Sequence, residues 1–292
     1  MITVALPTWN SKQILWLPME GLCRQKTEFA WELIVLECRS PHEVGYEFFE
    51  SYWDRLKKAG CKRLKYIFTG KRIPLGQKWK EIAKEAKGEY FILQASDDYP
   101  HSRRIQVTGD KLPGHDWYDT RFFHSFSLKS KKLILFDASM LARWTTGNDM
   151  ATLTEKVRRL PDNNKSRGVD FFLYETLVDN RVIDDNLYPG VNTNGANNIS
   201  MSREMHFISP RPPFKKAYRT IDELGLPKEI VTKLKHMTLN GHDKVEATLI
   251  KKFMNRRPGD KMKLNFRSYT TLEASGVLQL EPSEPYTRNY EN

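Results

Sequence analysis

The chain has 292 residues, 39% of them hydrophobic and 12% aromatic, enough apolar material for one sizeable packed domain with a smaller appendage. That composition excludes global disorder, and no apolar run approaches the roughly 20 residues that a membrane span needs. A net charge of +11 points to a polyanionic partner, nucleic acid or an anionic surface, or to a basic face that attracts a nucleotide sugar.

Residues 2–6 predict a first strand stopped by Pro7, entered without a basic leader, so no signal peptide is expected. Residues 12–25 predict a helix with Leu15, Met19, Leu22 and Cys23 on one side, and residues 31–36 a second buried strand. Across 41–60, Val44, Phe48, Tyr52, Leu56 and Ala59 recur at spacings of three and four, the signature of an amphipathic helix. A third strand is expected at 64–68 and a helix at 75–86, with Gly88 as its C-cap signal. Residues 90–93 then form a fourth strand. Strand and helix alternate as far as residue 98, which argues for parallel strands with crossover helices in a Rossmann-like nucleotide-binding half.

The second half is less regular. Residues 116–126 and 133–137 predict strands of a hairpin or meander, 151–160 a helix, and 168–178 a helix opening on Asp170. Residues 182–200, rich in Asn and Gly, read as loop, and Pro210-Arg211-Pro212-Pro213 reads as a linker. Beyond it lie a helix near 228–237 and strand-like pieces at 247–253, 261–266 and 276–280 in a basic tail. The expected organisation is one domain over 1–209, split into a nucleotide-binding half (1–98) and an acceptor half (99–209), then linker and small basic module over 210–292. The cysteines Cys23, Cys38 and Cys61 have no metal spacing and read as free thiols in a reducing cytoplasm.

The run Tyr90-Phe91-Ile92-Leu93 leads through Gln94-Ala95-Ser96 to two adjacent carboxylates, Asp97 and Asp98. Ligands of open α/β sheets sit outside the carboxyl ends of the strands. Acids there can hold a hard cation, Mn²⁺ or Mg²⁺, which in turn holds a diphosphate. Taken alone, Asp-Asp before Tyr-Pro is also an ordinary turn. Pro7-Thr8-Trp9-Asn10 follows the first strand, where Thr8 and backbone amides can meet a ribose or base; a plain turn with Asn10 or Ser11 as N-cap is the alternative. Neither Gly-x-Gly-x-x-Gly nor Gly-Lys-Ser/Thr follows this strand, which disfavours dinucleotide and P-loop readings.

Glu37 and Arg39 end the second strand, where an acid can reach a ribose hydroxyl or base N–H or simply be solvated. Lys71, Arg72, Gln77 and Lys78 follow the third strand and could neutralise a diphosphate. Asp149 and Asp170 are later acids: one facing an acceptor hydroxyl could be a general base, whereas one at a helix start could simply cap amides. His206 is a possible metal ligand, though a lone His is more often packed or solvent-facing.

The order of these features resembles family 2 glycosyltransferases of the GT-A fold. Ile2-Thr3-Val4-Ala5-Leu6-Pro7-Thr8-Trp9-Asn10 is similar to that family's opening strand and Pro-Thr-Tyr-Asn turn. Glu32-Leu33-Ile34-Val35-Leu36-Glu37 resembles its second strand, with Glu37 in place of the acid that contacts the base. Ala86-Lys87-Gly88-Glu89-Tyr90 and then Ser96-Asp97-Asp98 resemble the approach to its Asp-x-Asp motif, with Ala95 where the first Asp would stand. Thr146-Gly147-Asn148-Asp149 is similar to a divergent Gly-Gly-Phe-Asp acceptor motif, and Val169-Asp170 falls where the family carries Glu-Asp.

The resemblance covers residues 1–205 and implies an inverting, metal-dependent transfer from a UDP-sugar, with Asp170 as base, Asp97 and Asp98 at the metal, and Gly147 and Asp149 toward the acceptor. With the strand-end readings above, the expected nucleotide-sugar site comprises Pro7, Thr8, Trp9, Asn10, Glu37, Arg39, Lys71, Gln77, Lys78, Ser96, Asp97 and Asp98. The Asn-rich stretch 191–195 and the short tail also resemble compact phage-type glycosyltransferases, some of which modify hydroxymethylated bases in DNA. With the basic charge, that makes DNA the expected acceptor. A cell-surface or lipid-linked glycan is the alternative, and a non-catalytic nucleotide- or DNA-binding protein, suggested by Ala95 and Val169, is the second.

Overall fold

The computed structural model describes residues 1–140, 149–162, 173, 175–177, 179–194, 214–215, 220–237, 244–249, 257–265, 278–280 and 282–291. Its first half runs β1 (Ile2–Thr8), α1 (Trp16–Leu22), β2 (Trp31–Glu37), α2 (Tyr46–Glu50), α3 (Trp53–Lys58), β3 (Cys61–Phe68), α4 (Leu75–Glu85) and β4 (Tyr90–Leu93). The strands are buried on both faces because apolar side chains alternate between two cores. Val4, Leu6, Leu33, Val35 and Ile92 pack with α1's Met19 and Leu22, whereas Ala5, Ile34, Leu36, Phe91 and Leu93 pack with α4's Trp79, Ile82 and Ala83. Each fully buried large side chain contributes about 1.5–3 kcal/mol.

The chain continues through β5 (Asp98–Tyr99), α5 (Arg104–Lys111), β6 (Trp117–Thr120), β7 (Phe122–Ser127), β8 (Leu133–Asp137), β9 (Ala151–Leu153), α6 (Thr154–Arg158), β10 (Arg181–Asp184), β11 (Val191–Asn194) and β12 (Phe214–Lys215). After them come α7 (Lys228–His236), β13 (Lys244–Leu249), β14 (Lys261–Asn265), β15 (Leu278–Gln279) and β16 (Tyr286–Glu291). The main sheet has eight strands in the order β10-β6-β9-β4-β1-β2-β3-β16. Strands β1 to β4 are parallel to their neighbours in that set, whereas β9 is antiparallel to β4 and β6, and β16 to β3, so the sheet is mixed. A second sheet, β12-β8-β7-β11-β5, lies alongside, and β13 to β15 form a third.

Five expectations change. Pro7 does not stop the first strand: β1 runs to Thr8, and by Pro7 its pairing with β4 has ended at Ala5, so the missing N–H is tolerated. The helix expected at 41–60 is two short helices. Ala151–Leu153 is a strand rather than the start of a helix, because its backbone fills the gap between β4 and β6. Part of the expected loop 182–200 is paired as β10 and β11. Gly88 is no C-cap: a Cβ there would collide with Thr3, and its N–H donates to Thr3 Oγ1 and Glu32 Oε1, each at 3.1 Å.

Elements past residue 210 pack against the first half of the chain. α7 packs Ile230, Val231 and Leu234 into one core with Ile14, Leu17, Tyr99 and Phe126. β16 closes the free edge of β3, with the Tyr290 ring stacked on Tyr46 at 5.2 Å. Ser283 N donates to Gly70 O at 2.9 Å, and Gly70 adopts a φ of 65° with no room for a side chain under that tail. Among the described residues no helix is long and apolar enough to cross a membrane.

Candidate functional site

The carboxyl ends of β1, β2 and β4 lie side by side, because these strands are parallel neighbours. Past β1, Asn10 takes a φ of 61°, a left-handed conformation that Asn accepts more readily than most residues. Thr8 O accepts from Cys38 N and from Lys78 Nζ, both at 3.2 Å, which ties the β1 end to β2 and α4. Lys78 is therefore a buried brace rather than an open cation. Thr8 Oγ1 and Trp9 Nε1 are buried without a hydrogen-bond partner among the described residues. The Arg72 guanidinium lies 3.9 Å from the centre of the Trp9 ring, a cation–π stack. Lys71 is exposed and Gln77 half-buried beside it.

Opposite this loop stands the acid corner. Ser11 Oγ and Ser96 Oγ are 2.9 Å apart and hydrogen-bonded, joining the β1 loop to the turn that carries the acids. Asp97 is half-buried, and Asp98 is buried as the first residue of β5. Asp98 Oδ1 accepts from Asn192 Nδ2 at 2.9 Å, whereas Asp98 Oδ2 is buried without a partner among the described residues. Burial first, and then the Asp97 carboxylate, push the Asp98 carboxyl well above the usual carboxylate range. Gln94 Nε2 donates to Ala95 O at 2.9 Å and Asp98 O at 3.1 Å, cross-bracing the turn.

Hard oxygen donors of this kind suit Mg²⁺ or Mn²⁺. The half-buried Asp97 is the accessible acid, and the unpartnered Asp98 Oδ2 stands behind it. Among the described residues no three His, Cys, Asp or Glu gather around one point, so a cation here would draw its other ligands from diphosphate and water.

Two of the expected site residues, Glu37 and Asp149, have partners inside the protein. The Glu37 carboxylate is turned inward: it accepts from Val44 N and Gly45 N at 3.0 Å each and from Tyr66 Oη at 2.6 Å. Burial pushes its pKa up, against those three donors. It anchors the loop after β2, and Arg39 pairs with Glu43 at 2.9 Å. Asp149 is likewise buried, with Oδ1 2.7 Å from Arg104 Nη1. Arg104 Nη2 also donates to Leu93 O at 3.1 Å, so the Asp149–Arg104 pair is tied to the end of β4. His101 packs nearby, stacked on Tyr188 at 4.2 Å, and burial pushes its imidazole down to about 4.

Gly147, Asp170 and His206 lie outside the described residues. The sequence assigns no site role to Ser11, Gln94, Arg104, Asn192 or Thr193: Ser11 reads there only as an N-cap, Asn192 and Thr193 only as part of the Asn-rich stretch 191–195, and Gln94 and Arg104 carry no local pattern that marks them.

The fold is the mixed α/β arrangement of GT-A glycosyltransferases. No protein-family profile and no curated protein sequence matches the chain. Among solved structures it is similar to S. aureus TarS 1–349 in complex with UDP-GlcNAc, at a TM-score of 0.53 and 15% identity, over 80% of this chain and 70% of that one. The same protein in complex with UDP gives a TM-score of 0.50 and 16% identity over the same shares. A longer TarS chain is matched over only 36% of its length.

Proposed function

We propose that the chain is an inverting, metal-dependent glycosyltransferase that moves a sugar from a UDP-sugar to an acceptor hydroxyl on a hydroxymethylated DNA base. The observation that carries the reading is the Ser11–Ser96 hydrogen bond, which makes the β1 loop and the acid corner one edge, at the sheet end where α/β folds bind ligands. It lies on the fold that TarS shows with UDP-GlcNAc and UDP. Thr8 and Trp9 offer buried donors, without partners among the described residues, for base or ribose, and Arg72, stacked on Trp9, with Lys71 and Gln77 would meet the diphosphate.

In the transfer, the acceptor oxygen forms a bond to the anomeric carbon as the bond from that carbon to the diphosphate oxygen breaks, its electron pair leaving with UDP. Asp170 takes the acceptor proton, and the segment at Gly147 meets the acceptor. Mn²⁺ or Mg²⁺ held through Asp97 supplies neutralisation of the diphosphate charge when bound. Support for DNA is the net charge of +11, which suits phosphate contacts. The free thiols Cys23, Cys38 and Cys61 make a cytoplasmic setting part of the proposal.

The test is a panel of nucleotide sugars with Mn²⁺ on hydroxymethylcytosine and hydroxymethyluracil DNA, read by nucleoside mass. A hexose or pentose increment on one base, lost in Asp170→Asn, is expected. Turnover on glycans but not DNA would remove the acceptor assignment. Full activity of folded Asp170→Asn would remove the base.

A further inference from the structure

The acid corner is built from two distant parts of the chain. β5 pairs antiparallel with β11, and the register places Asn192 opposite Asp98 and Val191 opposite Tyr99. Asn192 Nδ2 donates to Asp98 Oδ1 at 2.9 Å. The next residue, Thr193, turns its hydroxyl to the carbonyl of Asp97, with Oγ1 to O at 2.7 Å. Both side chains are buried. Asn192 is itself held from the far side, since Ser125 Oγ of β7 donates to its Oδ1 at 3.3 Å and β11 pairs with β7 along its length.

A two-residue strand such as β5 has too few ladder bonds to fix a carboxylate by itself. Its position is instead set by β11, one side-chain bond to each acid residue. Asn suits the Asp98 contact because its amide presents a donor to the carboxylate and an acceptor to Ser125. Thr suits the Asp97 contact because its branched Cβ is stiff at χ1 and aims one hydroxyl.

We propose that Asn192 and Thr193 are positioning residues for the acid corner, fixing the Asp98 carboxylate and the Asp97 backbone so that a divalent cation and the diphosphate it carries meet a preformed site. The proposal rests on the transferase reading. Neither residue touches the ligand; each acts through Asp97 or Asp98.

The test titrates Mn²⁺ into the full-length protein with saturating UDP, reading free Mn²⁺ by electron paramagnetic resonance. Wild type is compared with Asn192→Leu, Thr193→Val, Thr193→Ser and Asp97→Ala, with melting midpoints alongside. Asn192→Leu is expected to raise the Mn²⁺ half-saturation by about tenfold, the usual effect of removing a partner of a metal ligand. Thr193→Val moves it less in the same direction, and Thr193→Ser, which keeps the hydroxyl, stays at wild type. UDP affinity without metal stays within about twofold, because positioning acts on the cation site alone.

Lower melting midpoints in Asn192→Leu and Thr193→Val with unchanged Mn²⁺ half-saturation overturn the inference, since that is what a merely structural role gives. If Asn192→Leu does not fold, the contrast between Thr193→Val and Thr193→Ser decides. Asp97→Ala keeps the two readings apart. If it loses Mn²⁺ while the β11 variants do not, the positioning role alone falls. If it binds Mn²⁺ and UDP like wild type, the metal-dependent transferase reading falls.

Discussion

Two strand ends on the same edge of the same sheet carry acids, and they are used in opposite ways. β2 ends in Glu37, whose carboxylate is saturated by two backbone amides and the Tyr66 hydroxyl. The turn after β4 ends in Asp97 and Asp98, where one carboxylate is half-buried and the other keeps an oxygen without a partner among the described residues. Both ends follow buried apolar runs, so strand position alone does not distinguish them. The difference lies in what faces them. The 44–45 backbone and Tyr66 fold onto Glu37, whereas β11 reaches the acid corner with one side-chain donor per acid residue. An acid whose lone pairs are filled by the protein holds a loop; one left with an open oxygen can hold a ligand.

The largest expected effect tests the open end. Asp97→Ala should lower kcat/KM with a UDP-sugar by on the order of 100-fold or more while the melting midpoint barely moves, the behaviour of a group that holds the cation neutralising the leaving diphosphate. Activity near wild type would break the comparison at its functional end. The saturated end should answer in the other currency. Glu37→Leu leaves two amides and a phenol hydroxyl without their acceptor and should lower unfolding free energy by about 3 kcal/mol in urea titrations. UDP affinity per folded molecule should be unchanged. A selective loss of UDP binding in a stable Glu37→Leu protein would return Glu37 to the ligand.

A smaller effect follows from His101, in the polar layer beside the acid corner. Its imidazole falls from the ordinary 6.5 to about 4 in the folded protein because burial disfavours the cation. The unfolded chain therefore binds more protons between these values, and stability should rise with pH from about 4 to 6.5 and level off above. His101→Gln should flatten the urea midpoint across that window; an unchanged slope would place the titration elsewhere.

The smallest effect is expected far from both ends. Glu20 bridges Arg55 and Arg24, and the Arg55 hydrogen bond leads in lowering its carboxyl from 4.5 to about 2. That contribution is complete above pH 4.5 and fades as pH falls toward 2, so the cost of Glu20→Gln should be full above 4.5, shrink through that window and vanish below it. At neutral pH it should cost about 0.5 kcal/mol, since the Arg55 partner is substantially exposed.

Much of the first half was legible in the sequence. Residues 2–6, 31–36 and 90–93 are mostly apolar stretches of strand length, and their alternation with helical patterns argues for parallel neighbours. The second half hid its pairing. Ala151–Leu153 looked helical because its sequence continues into α6, yet three residues suffice when β4 and β6 both need a partner. β16 lies against β3 across more than 200 residues of chain. Contacts of that separation leave no local periodicity to read.

The sequence by itself determined the parallel core and the position of the acids at a strand end, because apolar period and strand length act within a few residues of each other. It could not decide which acid is filled and which stays open. Glu37 meets Tyr66, Asp149 meets Arg104 and Asp98 meets Asn192 only once the sheets have assembled. A carboxylate's partners are set by three-dimensional neighbours, and in this chain those neighbours come from 29, 45 and 94 residues away.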